Sequence, residues 1–76
     1  MTEAAQIRAA RALIGWSQKD LAEALGVSTM TIKRAEGSGK PAAPPETLGA
    51  IRTRLEAEGV VFIDRNGGGP GARLKA

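Results

Sequence analysis

The sequence predicts a mainly α fold, a bundle of four helices followed by a C-terminal β-hairpin. Three observations carry that prediction. Residues 3–58 are rich in Ala, Leu, Glu, Arg and Lys, the strong helix formers, and are punctuated by Gly15, Gly26 and Gly37, where helices stop. Ser17 and Ser28 each stand at a helix start, where a hydroxyl satisfies an orphan backbone N–H. From residue 59 the composition turns to glycine around the β-branched and aromatic run Val60-Val61-Phe62-Ile63. The chain accordingly divides into a helical domain, residues 1–58, and a hairpin tail, residues 59–76.

The first helix is expected from Thr2, its N-cap, to about Ile14, with Ile7, Ala10, Arg11 and Ile14 forming an inner stripe. Gly15 ends it. Ser17-Gln18-Lys19-Asp20 opens the second helix, with a Ser cap and an acid three positions on. Leu21, Ala22 and Leu25 then face inward and Gly26 supplies a left-handed turn. Ser28 caps the third helix, Thr29 to Glu36, which is anchored by Ile32 and stopped by Gly37. After a loop at 38–44, Pro45 takes the first position of the fourth helix, where no N–H is needed. Leu48, Ile51 and Leu55, with Thr47, line its inner face, and Gly59 ends it. Val60 to Asp64 and Ala72 to Lys75 read as strands, with Asn66-Gly67 and the glycines after it reversing the chain between them.

Composition excludes several kinds of chemistry. The 76 residues contain neither Cys nor His, which removes disulfides, thiolate nucleophiles, Cys/His zinc sites and imidazole acid–base catalysis. Asp20, Glu23 and Glu46 are scattered over first helical turns, so neither a metal nor a carboxylate pair is indicated. Gly37-Ser38-Gly39-Lys40 lacks the leading glycine and the Ser/Thr of a nucleotide-binding loop. The expectation is a protein that is not an enzyme and takes no cofactor or small-molecule ligand. No apolar run is long enough to span a bilayer, and the opening MTEAAQIR lacks the build of a secretory signal, so a soluble cytoplasmic protein is expected. Net charge is +3, a mild basic excess whose meaning depends on where the charges fall.

Two of the cations, Lys33 and Arg34, share one helical face. Residues 17–37 form two capped short helices around the Gly26-Val27 turn, a helix-turn-helix arrangement in which the second helix enters the major groove. With Ile32 set toward the core, Thr29, Met30, Thr31, Lys33 and Arg34 point outward, while Ala35, Glu36 and Ser28 turn inward. No acid interrupts that outward face. Arg34 suits a guanine O6/N7 pair, and Thr29 or Met30 a thymine methyl. Ser17, Gln18 and Lys19 at the start of the second helix, with Ser38 and Lys40 beyond the third, suit phosphates. An ordinary helical hairpin with a basic surface remains the plainer reading. Trp16, at the junction of the first two helices, is expected in the core.

Arg11 and Glu36 fall on the inner faces of their helices, where a lone charge is costly. They are expected to pair and so to fix the angle of the third helix. The alternative is that Arg11 reaches water while Glu36 merely caps.

The positions Ile7-Arg8-x-x-Arg11, Gly15-Trp16-Ser17-Gln18-x-x-Leu21-Ala22, Gly26-Val27-Ser28, Ile32 and Glu36-Gly37 together resemble the XRE family, the Cro- and lambda-repressor-like helix-turn-helix proteins. The likeness runs over about residues 5–57. It implies a lambda-repressor-like bundle of five helices that binds a bacterial or phage operator as a dimer. It also implies an Arg11–Glu36 pair, a phosphate-contacting Gln18, and base-reading positions at Thr29, Met30 and Arg34. Two departures stand out. Ala35 replaces a bulkier residue, and Gly59–Lys75 replaces the fifth helix through which many relatives dimerise.

The tail offers a substitute. Val60, Val61, Phe62 and Ile63 alternate, so one set packs on the fourth helix while the other meets the tail of a second chain; equally, the hairpin simply covers its own core. The functional expectation is a sequence-specific, double-stranded-DNA-binding regulator of transcription, a repressor acting as a homodimer at the nucleoid. With no ligand-sensing domain indicated, its control is expected to come from concentration, proteolysis or a protein partner. The competing expectation is a protein-interaction module on the same fold, an antitoxin or anti-activator.

Overall fold

A computed structural model describes residues 2–75. Its elements in chain order are α1 (Ala4–Leu13), α2 (Gln18–Leu25), α3 (Thr29–Ala35), α4 (Pro45–Ala57), β1 (Val60–Ile63) and β2 (Gly71–Leu74). The two strands form an antiparallel hairpin in the register Val60↔Leu74, Val61↔Arg73, Phe62↔Ala72, Ile63↔Gly71. The helix ends follow local chemistry. Gly26 closes α2 at φ 69°, in the left-handed region that costs glycine nothing. Pro45 begins α4, and the chain leaves that helix through Gly59 at φ 97°.

The start of α1 differs from expectation. Glu3, not Thr2, is the N-cap, and its N–H donates to Gln6 Oε1 at 2.8 Å. Thr2 is instead buried, with its hydroxyl 3.3 Å from the Arg52 guanidinium. The reason is tertiary. Gln6 is buried, and its Nε2 donates to the carbonyls of Ile63 at 2.9 Å and Gly71 at 3.1 Å, so one amide clasps both strands while its oxygen closes the helix start.

Core residues come from every helix and from both strands' inner side. Ile7, Leu21, Ile32 and Leu55 are fully buried, joined by Ala10, Ala22, Ala35, Ile51, Val60 and Phe62. Ile14, Trp16, Leu25 and Leu48 pack against them, half-buried. The division at residue 58 is thus not a division of the core. Val60 and Phe62 belong to the same apolar cluster as the helices, which withdraws them from any partner chain. Of the four residues expected to dimerise, only Ile63 is well exposed, with Val61 half-buried.

Ion pairs tie the hairpin down at its rim. Arg65 pairs with Glu3 at 2.7 Å, and Arg52 with Asp64 at 2.9 Å and Glu56 at 3.1 Å. The Arg52 guanidinium also lies 5.0 Å from the centre of the Phe62 ring. The Arg52 hydrogen bond holds the Asp64 carboxyl below the usual carboxylate range. A depressed folded value means that the stabilisation is complete above the unfolded pKa of about 4 and is lost as pH falls through the folded one. Amide-exchange protection of Val61 and Ile63, whose N–H groups bond across to β2, should therefore hold steady from neutrality down to about pH 4 and fall only below it. Protection already lost at pH 5 would show that Asp64 does not anchor the hairpin.

Candidate nucleic-acid interface

The helix-turn-helix is built by its caps. Ser17 Oγ accepts from the Asp20 N–H at 3.0 Å while the Ser17 N–H donates to Asp20 Oδ2 at 2.9 Å, a reciprocal box that starts α2. The bond from the Ser17 backbone foremost, and then the Ser17 hydroxyl beside the carboxylate, hold the Asp20 carboxyl below its ordinary pKa. The Val27 N–H donates back to Ala22 O at 3.0 Å across the turn. Ser28 then caps α3, accepting from the Thr31 N–H at 3.2 Å, with the Thr31 hydroxyl 3.0 Å away. Serving as a cap keeps Ser28 exposed, not turned inward as expected.

Ile32 is fully buried, and Ala35 and Glu36 are each 3% exposed, so the orientation of α3 about its axis is settled. Met30 is 49% exposed and Lys33 is exposed; Thr29, Thr31 and Arg34 are half-buried. Arg34 departs from the simple outward placement. Its Nε is closed off from solvent and has no hydrogen-bond partner among the described residues. The side chain borders a cleft of about 180 Å³ lined by Thr31, Pro41, Ala42, Ala43, Pro44 and Thr47. The loop after α3 folds back and covers part of its stem.

Around this face stand the residues expected at phosphates. Lys19, Ser38 and Lys40 are exposed. Ser17 is exposed too, but its hydroxyl and N–H are both engaged in the capping box. Gln18 is half-buried, and its Nε2 donates inward to Glu36 Oε1 at 3.0 Å. One amide hydrogen is thereby committed to the protein, leaving the other and the oxygen.

Beneath the face lies a braced carboxylate. Arg11 meets Glu36 with two parallel bonds, Nε to Oε2 at 2.8 Å and NH2 to Oε1 at 3.0 Å. That geometry suits a planar guanidinium against a carboxylate, and it raises the Arg11 pKa further above its already high value. A third Arg11 hydrogen reaches the Trp16 carbonyl at 2.9 Å. Arg8 donates to the Glu36 backbone carbonyl. Three elements or junctions thus converge on the end of α3: α1 through Arg8 and Arg11, the α1–α2 link through Trp16, and α2 through Gln18. The roles of Arg8 and Gln18 here escaped sequence reasoning. Arg8 carried a signal, since it lies three residues before Arg11 on the same helical face.

Trp16 is half-buried against the core, with the Arg54 guanidinium 5.8 Å from its ring centre. Among the described residues there is no cluster of three metal-ligating side chains and no helix long and apolar enough to cross a membrane. A protein-family model described as helix-turn-helix matches residues 7–56, more than half of the chain. No curated protein matches it.

Proposed function

Since the chain belongs to the XRE-type, lambda-repressor-like helix-turn-helix family of DNA-binding regulators, we propose that it reads a specific double-stranded sequence with α3, as a homodimer on a pseudo-palindromic operator. The observation that carries this reading is the acid-free surface of α3, where exposed Met30 and Lys33 and half-buried Thr29 and Arg34 ride on a helix braced from beneath by Glu36. Two such helices would enter successive major grooves about 34 Å apart. Base edges fall to Thr29, Met30, Lys33 and Arg34; Thr31, whose hydroxyl lies against Ser28, contributes its methyl group. Lys19, Lys40, Ser38, Ser17 and the free part of the Gln18 amide grip phosphates and set the register. Repression by occupying a promoter, in the cytoplasm at the nucleoid, is the regulatory mode this arrangement supports.

Selection of bound duplexes from a random pool, followed by titration of single variants, tests it. Arg34→Ala should cost about 1–3 kcal/mol and relax preference at one base position, whereas Lys19→Ala should weaken all sequences alike and lower the salt slope by about one. Salt-sensitive binding with no preferred sequence, in the wild type as in Arg34→Ala, would instead favour a protein-interaction module on this fold.

A further inference from the structure

The loop at 38–44 passes the Arg34 side chain at two places. Gly39 comes close enough that a methyl group there would stand 3.9 Å from Arg34 Cγ. Farther on, Pro41 to Pro44 border, with Thr31 and Thr47, the cleft of about 180 Å³ beside which Arg34 lies. The loop is held along its length. The Ser38 N–H donates to the Lys33 carbonyl at 2.8 Å, Ala43 packs against the core, and the Pro44 carbonyl accepts from the Thr47 and Leu48 N–H groups at 3.0 and 3.2 Å. Pro41 and Pro44 each fix a backbone angle between those anchors. Arg34 Nε, shut off from solvent, finds no acceptor among the described residues. The Thr31 hydroxyl, one turn back, lies 3.0 Å from Ser28 Oγ instead. A buried donor without an acceptor costs stability and calls for a reason.

Guanidinium chemistry supplies one. Against the O6 and N7 of guanine a guanidinium forms two bonds either side-on, through Nε and one terminal nitrogen, or end-on, through both terminal nitrogens. With Nε enclosed, only the end-on fork is left to Arg34, and Nε is withheld from any neighbouring base or phosphate.

We propose that the loop after α3 is a specificity-determining element, which holds Arg34 to an end-on fork and so to a single guanine. The proposal rests on the DNA reading above and extends it from α3 to residues that reach no base themselves, Ala42, Ala43, Pro44 and Thr47. The gain is one of preorganisation. Arginine surrenders much rotamer freedom when it is fixed at an interface. A stem held by the loop has less freedom to lose on guanine and less freedom to adapt to another base, and both effects widen the gap between them. Met30 and Lys33, exposed on the same helix, have that freedom still to lose.

Proton–nitrogen NMR of the isotope-labelled full chain tests the fork. Arg34→Lys identifies the Arg34 Nε–H signal by deleting it. In the free chain that Nε–H should exchange with water at least about tenfold more slowly than the one of exposed Arg73. On the duplex selected from a random pool its resonance should keep its place while the terminal nitrogens respond. Ala42→Gly with Pro44→Ser loosens the loop yet leaves α4 a capping residue. This variant should melt cooperatively, speed the Nε–H exchange, and lower the guanine preference at the Arg34 position by about tenfold, the share that a bidentate pair supplies. A marked shift of the Nε–H signal on the selected duplex reveals a side-on contact and overturns the proposal. A folded, loosened variant that selects as sharply as wild type overturns it too. Neither of those results touches the DNA reading, which fails separately if the wild type prefers no sequence and then takes the role of the loop with it.

Discussion

Arg11→Ala should destabilise the protein by about 3–5 kcal/mol, the cost of leaving a buried carboxylate without its partner. The Glu36 side chain is only 2% exposed, and without Arg11 it retains a single side-chain donor, the Gln18 amide at 3.0 Å. The Trp16 carbonyl loses its 2.9 Å donor at the same time. For a domain of this size each kcal/mol corresponds to about 4–8 °C, so thermal unfolding should shift down by at least about 12 °C. The pair itself is worth much less than its rupture. Replacing both residues, Arg11→Met with Glu36→Leu, should restore most of the stability, because no charge is then left in the core. DNA affinity should not return with it, since α3 would have lost the contacts that fix its angle. A loss below about 1 kcal/mol in Arg11→Ala would mean that Glu36 is solvated as a surface carboxylate is.

The second large effect concerns the hairpin. Phe62→Ala should cost about 3–5 kcal/mol, the range for emptying an aromatic site in a packed core. Phe62 is 7% exposed and is capped on one side by Arg52, so little can move in to fill the space. Ile63→Ala, one position along and 42% exposed, should change stability by no more than about 0.5 kcal/mol. That contrast between neighbours reads the strand's facing directly. Small domains sit near the lower end of the usual 5–15 kcal/mol, so Phe62→Ala should leave a large unfolded fraction at physiological temperature. Cutting the chain after Gly59, which removes Val60 and Phe62 together, should abolish the cooperative melt. A truncated chain that melts like the whole one would show two independent units instead.

Much of the interface was legible in residue order because it depends on short-range chemistry. Ser17 with Asp20, Ser28 with Thr31, and the left-handed turn at Gly26 involve partners no more than three or four positions apart. Ile32 and Glu36, one turn apart, both face inward, as the helical period requires. What was not legible involves distant partners. Gln6 bonds carbonyls 57 and 65 residues away, and that choice made Glu3 rather than Thr2 the cap. The stem of Arg34 is covered by a loop whose path no periodicity describes.

Alternation in Val60-Val61-Phe62-Ile63 likewise announces two faces without saying which one is wet. By itself, then, residue order determined the elements, most of their ends, the helix-turn-helix and the inward setting of Ile32 on α3, because caps, glycine turns and helical period act within a few bonds. The three-dimensional fold alone decided that the hairpin completes the core through Val60 and Phe62, and how far the stem of Arg34 is covered. Those outcomes follow from burying the most apolar area against elements remote in the chain, and no local preference encodes that competition.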